Sequence, residues 1–312
     1  MATATRAAGA GAAVPALRAS RRRYGEFAIK VVLALCALIS VLTTAGIIIA
    51  LLTPSIDFFR EVPIWDFLTG TSWYPLFEPA YFGVLPLLVG TLLVTLWACI
   101  VCLPFGLGSA IYLSEYARPR TRKILKPALE VLAGIPTVVF GFFALTFVTS
   151  LLRDIGLQVD VFNALSAGLV MGVMLMPTVA SLSEDAMTAV PQTLRDGAYA
   201  LGATKLQVAT RTVVPAAVSG IVASFVLAIS RAVGETMIVL IAAGGLPQLV
   251  FDQRAQIQTM TAFIGATGNG DVPRGTIEYK TIFAVGITLF VMTFLLNMVS
   301  IRLVRRFREV YE

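Results

Sequence analysis

Six long apolar runs, at residues 27–52, 84–113, 124–151, 162–182, 213–243 and 281–304, alternate with more polar stretches along the 312-residue chain. Each is long enough to cross a hydrocarbon layer of about 30 Å as a helix, which predicts an all-α, polytopic membrane protein with six transmembrane helices. The first run spans ~39 Å as a helix. That is too long for a signal-peptide core, although "SRRRYGEFAIK" ahead of it resembles a twin-arginine export signal, so it reads as a retained span.

Breakers fall inside or beside the runs, at Pro104 and Gly106, Gly134 and Pro136, and Pro177. A bilayer tolerates them only where neighbouring helices or water satisfy the freed backbone groups, so a packed bundle around a pathway is implied. Gly168 and Gly172, four apart, either permit a close helix approach or are a chance match in apolar sequence.

Basic residues sort by side. Arg21, Arg22 and Arg23 precede the first run, Arg118 to Lys126 carry five cations between the second and third, Arg195, Lys205 and Arg211 lie between the fourth and fifth, and Arg302, Arg305, Arg306 and Arg308 end the chain. The alternate connections are mostly acidic, so the positive-inside rule places both termini in the cytoplasm. The expected organisation is a mobile cytoplasmic tail at 1–23, a first helix and extracytoplasmic loop at 24–83, a helical core at 84–304 and a basic cytoplasmic end at 305–312. In the first outer loop, Trp65, Trp73, Tyr74 and Tyr81 suit an interfacial aromatic belt with a short amphipathic segment. The second, 244–280, reads as turns around "GATGNGDVPRG".

The inner connection at about 184–212 is the least loop-like of the loops. Helix formers fill it, Pro191 and Thr193 supply a start, and Leu194, Ala198, Leu201, Lys205 and Val208 recur at helical spacing. Gly202 should break the helix or allow a close approach, giving a short amphipathic helix, a glycine turn and a second helix running into the fifth span.

That fifth run contains "AISRAVGETMIV", with Arg231 and Glu235 in otherwise apolar sequence. Four residues apart, they share one face of a continuous helix, with Ser230 and Thr236 adding hydrogen-bonding groups. A lone charge inside a membrane costs several kcal/mol. Two readings follow. Either the pair is a structural bridge between helices, or Arg231 faces a translocation pathway and compensates an anionic substrate while Glu235 holds the guanidinium when the path is empty. Glu130, at helical spacing from Lys126, is either a gating carboxylate or that lysine's structural partner.

Composition narrows the chemistry. With 57% hydrophobic and 13% charged residues, the net charge of +6 records membrane topology rather than nucleic-acid binding. The chain has no histidine, which excludes histidine metal sites, proton shuttles and Ser-His-Asp triads. Cys36, Cys99 and Cys102 lie in apolar runs and read as small buried hydrophobes. No metal site, catalytic constellation or Gly-x-x-x-x-Gly-Lys-Ser/Thr loop is present.

"DGAYALG", nine further residues and "TVVP" resemble the signature loop of the permeases of binding-protein-dependent ABC importers. Asp196, Gly197 and Ala198 match its Glu-Ala-Ala triplet, Gly202 its glycine, and Thr212, Val214 and Pro215 its end. "RAVGETMIV", "GIPTVVFG", "LSEYA", "TIEYKTIFAVGITLF" and "RRFREVYE" are similar to the phosphate-transport branch, and Met237 after Glu-Thr is closer to its PstC-type subunits than to its PstA-type ones. The resemblance runs from about Tyr24 to the end.

The resemblance implies a type I ABC importer permease fold in a bacterial inner membrane, with the 184–212 loop docking on a cytoplasmic ATPase. It implies that this subunit is not itself an enzyme. It further implies a homologous PstA-type permease, two PstB-type ATPase subunits holding ATP and Mg, and a PstS-type extracytoplasmic phosphate-binding protein as partners, besides membrane lipids. Alternatives are another oxyanion such as sulfate, molybdate or phosphonate, an ion-coupled secondary carrier using Glu130, Arg231 and Glu235, or, more distantly, a membrane enzyme.

Overall fold

The computed structural model describes residues 24–306, so the tail at 1–23 and most of the end at 305–312 lie outside the described residues. The chain divides into two compact units, one up to Ile49 and one from Ala50 onward. Fourteen α-helices, three π turns and one small hairpin appear among the described residues.

Helix α1, Tyr24–Glu61, is apolar all round over most of its length, the composition of a span facing lipid. The short α2, Ile64–Thr69, starts after Pro63, and strands β1, Trp73–Tyr74, and β2, Tyr81–Phe82, pair antiparallel. Within the second unit this outer region has its own core. Phe58, Phe67 and Trp73 are fully buried and meet Phe82 and Phe263 edge-on. Trp73 is therefore a core residue and not part of an interfacial belt, whereas Trp65 is exposed. Tyr74 and Tyr81 are exposed as well, so of the four aromatic residues named for this loop Trp73 alone serves packing.

Helix α3, Leu85–Ile111, has Pro86 in its first turn and ends in a π turn at Tyr112–Tyr116. Helix α4, Pro119–Ala133, follows, and here the structure departs from a third span starting at Ile124. The chain stops being helical at Gly134–Pro136, since a proline disfavours helical geometry in the residue before it. Helix α4 is thus a separate amphipathic helix with no buried residue, and the third span is Thr137–Asp154. The span comprises α5, Thr137–Phe143, a π turn at Ala144–Val148 and α6, Thr149–Asp154.

Helix α7, Ala164–Thr188, is capped by the buried Asn163, whose side chain accepts from Ser166 N at 2.7 Å. It packs on α3 at very short range. A Cβ on Gly168 would meet Trp97 Cβ at 2.5 Å, one on Gly172 would meet Val101 Cβ at 2.6 Å, and one on Gly106 of α3 would meet Val179 at 2.7 Å. The Gly168/Gly172 spacing is thus a close approach, where backbone rather than side chain supplies the contact surface.

Helices α8, Gln192–Ala200, and α9, Lys205–Val208, form the inner connection; a π turn at Ala209–Val213 and α10, Val214–Ala216, lead into α11, Val218–Val233. The chain bends by 72° between the 205–216 and 218–233 stretches and breaks again after Val233, before α12, Met237–Ala242. The fifth span is thus bent and interrupted rather than one straight helix. Among the described residues five helices are long and apolar enough to span a membrane, six if this bent pair counts as one span.

The second outer loop is more ordered than turn chemistry implies. Residues 253–257 run beside the start of α7 and the end of α12, with Leu165 N donating to Gln253 O at 2.9 Å and Ile257 N to Ala243 O at 3.0 Å. Thr259 then caps α13, Met260–Gly268, and α14, Ile277–Arg306, completes the chain. Cys102 is buried in the main core and Cys99 half-buried, but Cys36 is exposed.

The α3–α7 contact makes a direct prediction. Gly172→Ala should destabilise the protein by about 1–3 kcal/mol through overpacking, whereas Gly108→Ala, where a Cβ meets nothing within 4 Å, should be neutral or stabilising. Thermal unfolding of the two variants in detergent, read as the loss of monodisperse protein, compares them; equal midpoints would contradict the contact.

Candidate functional site

The inner connection folds as helix, glycine turn, helix. Pro191 presets the backbone at the start of α8, and on the solvent side Gln192 Nε2 donates to Asp196 Oδ1 at 3.0 Å. Gly202 has φ +83°, a left-handed conformation that side chains resist, and Ala203 N donates back to Ala198 O at 3.1 Å. Thr204 and Gln207 then form a reciprocal capping box that starts α9. A Cβ on Gly202 or Gly197 would meet nothing within 4 Å, so Gly202 is set by backbone conformation and not by a close approach inside this chain.

One face of this element is anchored. Val208 and Val213 are buried with Ala110 of α3, Met187 of α7 and Ile221 of α11, and Ala198 packs against the same cluster. Pro215 sits in the first turn of α10. The opposite face is bare: Leu201 is 91% exposed, and Leu206 and Tyr199 are exposed beside it. Leu201, Leu206 and Tyr199 thus leave an apolar face of this element uncovered within this chain.

The charged element lies further along the same stretch. Helix α11 ends at Val233, and Gly234–Thr236 is outside both flanking helices. Arg231 and Glu235 therefore do not share one helix face, and no ion pair joins them among the described residues. Glu235 Oε1 instead accepts from Met237 N at 3.1 Å and Ile238 N at 3.4 Å, satisfying orphan donors at the start of α12. A carboxylate favours this position because the first turn of a helix carries a partial positive charge. The Glu235 carbonyl accepts from Thr261 Oγ1 at 2.6 Å, and Thr236 Oγ1 lies 3.4 Å from Gly234 O.

Arg231 is exposed in the isolated chain, and its Nη1 donates to Thr178 Oγ1 of α7 at 3.3 Å. Thr178 follows Pro177, the helix-interior proline of α7. Ser230 donates to Asn297 Oδ1 of α14 at 3.0 Å, so this turn of α11 reaches two neighbouring helices through polar contacts. Thr178 also lines a cavity of about 330 Å³ with Lys126, Glu130, Ser181 and Glu184. Glu130 is thus brought to the same cavity as Arg231's partner, though not to Arg231 itself.

Lys126 does not pair with Glu130. Its Nζ donates to Glu184 Oε2 at 2.7 Å and Asp185 Oδ1 at 3.0 Å, and Arg122 also pairs with Glu184. The Glu184 carboxylate, with Asp185 beside it, raises the Lys126 ammonium above the ordinary lysine pKa. Glu184 is fully buried, and a buried carboxylate is tolerable when two cations face it. The ion triad ties the amphipathic α4 to the C-terminal end of α7. Glu184, Thr178 and Asn297 were not foreseen; each is an isolated polar residue in or beside an apolar run, a signal weaker than the Arg231–Glu235 spacing.

Among the described residues no three His, Cys, Asp or Glu side chains come together as metal ligands. The arrangement offers charge compensation, hydrogen bonding and a bare apolar face.

Residues 102–309 match the family of binding-protein-dependent transport system inner membrane components. A probable ABC transporter permease, YqgH of Bacillus subtilis, is 33% identical over 279 residues, covering 88% of this chain and 89% of that protein. Phosphate transport system permease protein PstC 1 of Mycobacterium tuberculosis is 33% identical over 275 residues, covering 77% and 81%. The fold is shared with a chain of a bacterial alginate ABC transporter solved with an alginate-bound periplasmic protein, at TM-score 0.62 and 17% identity over 92% of this chain and 98% of that one. With the family matched across the π turn, the inner connection and the charged element alike, this chain is a multi-pass inner-membrane permease of the binding-protein-dependent transport family.

Proposed function

We propose that the protein forms part of the translocation pathway for inorganic phosphate in an ATP-driven importer. The observation that carries the reading is the continuity of one stretch, 192–242, which begins with a bare helical docking face and leads to an exposed guanidinium held by a hydroxyl. Relatives with phosphate in their names, the M. tuberculosis protein among them, support the choice of anion. A tetrahedral oxyanion suits Arg231 because a guanidinium can bond two oxygens at once.

In this reading the exposed Leu201, Leu206 and Tyr199 enter a cleft on a cytoplasmic ATPase subunit, which supplies ATP and Mg. Two ATPase copies, a homologous second permease and an extracytoplasmic phosphate-binding protein complete the assembly, of PstB, PstA and PstS type, with both termini of this chain cytoplasmic. ATPase closure displaces α8 and α9, and the bend at Ala217 converts that displacement into a change of access around Arg231. Arg231 would face the pathway with Ser230 and Thr178 as its polar surroundings. Glu235 keeps α12 in place, and Glu130 faces the cavity inward of Thr178 as a gating carboxylate.

Three outcomes check this. In proteoliposomes containing the whole complex, labelled phosphate should accumulate only with ATP, and sulfate or molybdate in excess should not compete. Arg231→Ala should leave the complex assembled while lowering uptake by at least about tenfold, the scale of one charge-assisted hydrogen bond; loss of assembly instead would make Arg231 a structural bridge. Gly202→Val should abolish ATP-driven uptake, because a β-branched residue resists φ +83°, while Gly202→Asn should retain much of it. Full uptake by the valine variant would remove the coupling role from this turn.

A further inference from the structure

The inner connection is fastened to the rest of the protein at an unusual place. Arg195, in the first half of α8, has a side chain only 11% exposed, and its Nη2 lies 3.2 Å from Oε1 of Glu115, itself 6% exposed. The same guanidinium donates to Met187 O at 2.7 Å and Val190 O at 2.5 Å, carbonyls at the C-terminal end of α7 and just beyond it. One side chain thus joins α8, the end of α7 and the end of α3. Ser114 donates to Glu115 Oε1 at 2.9 Å. A second contact lies beside it, with Lys205 Nζ, at the start of α9, 5.0 Å from the centre of the Tyr116 ring.

Glu115 and Tyr116 belong to the π turn Tyr112–Tyr116, closed by Ala117 N donating to Tyr112 O at 2.7 Å. Here both helices of the inner connection, α8 through Arg195 and α9 through Lys205, grip the same turn. A surface ion pair is worth little, but a nearly buried one fixes geometry, since separating its members strands charge away from water.

We propose that Glu115 is a positioning residue for transport: through Arg195 it makes the π turn at the end of α3 move with the inner connection, so that ATP turnover drives α3 and α7 together. The proposal rests on the reading of 192–208 as the ATPase contact, and it extends the relay to α3, which meets that connection only at its inner end. Because α3 and α7 are packed backbone to backbone at Gly106, Gly168 and Gly172, they respond as one rigid pair once both ends are held.

The test uses the whole complex in proteoliposomes, with labelled inorganic phosphate and ATP, and reads phosphate taken up per ATP hydrolysed. Glu115→Gln removes the charge and keeps the shape; Tyr116→Leu removes the ring contact at a half-open site. Both should co-purify with the ATPase and continue to hydrolyse ATP, while the phosphate-to-ATP ratio falls at least about fivefold, the lower range of a coupling free energy. An unchanged ratio in both variants overturns the proposal and leaves the pair a structural pin. If Glu115→Gln is not recovered as a complex, Tyr116→Leu decides by the same ratio. A wild-type complex that takes up no phosphate with ATP would instead defeat the underlying reading, a result distinct from an unchanged ratio, and would take this proposal with it.

Discussion

The backbone contact between α3 and α7 is the constraint on which the remaining structure depends. In lipid, apolar side chains gain little by meeting each other, so helices associate where small residues let main chains touch. Gly168 and Gly172 meet Trp97 and Val101, and Gly106 meets Val179, along one continuous seam. On that seam are hung the two polar features of interest. Thr178 reaches Arg231 from α7, and the inner end of the same helix receives Arg195.

Charged groups away from the surface are consistently matched. Glu184 faces Arg122 and Lys126, and Glu115 faces Arg195. Glu235 is satisfied by two amide donors rather than by a cation. These three solutions differ in effect. The Glu184 triad holds an amphipathic helix to a span, the Glu115 pair holds a loop to two spans, and the Glu235 cap holds a helix start within one span.

Much of this was legible in the chain. Helix α8, the left-handed Gly202 and a second short helix fall where Pro191 and the glycine put them, because local rules of capping and backbone conformation govern short polar helices, although the Thr204/Gln207 capping box that starts α9 emerges only in the structure. The spans followed from length and hydropathy, but their breaks did not. Hydropathy does not distinguish "ILKPALEVLA", which forms the amphipathic α4, from the span beyond Pro136 once both lie in one apolar run. Likewise the i, i+4 spacing of Arg231 and Glu235 has meaning only if the helix continues, and the chain leaves it at Gly234. Partners distant in sequence, Arg195 with Glu115 and Lys126 with Glu184, depend on tertiary packing that no local rule encodes.

The break at Gly234 alters what Arg231 can do. A guanidinium clasped by a carboxylate would have to exchange one negative partner for another, and an arriving anion would meet a competitor of its own sign. Glu235 has been turned away to serve two amides, so Arg231 rests on a neutral hydroxyl at 3.3 Å. In the proposed phosphate pathway, an oxyanion would take the place of that hydroxyl without displacing any charge, and the hydroxyl would reclaim the guanidinium when the anion departs. Under that proposal the site would suit passage better than retention, because both arrival and release would exchange one modest hydrogen bond rather than break an ion pair.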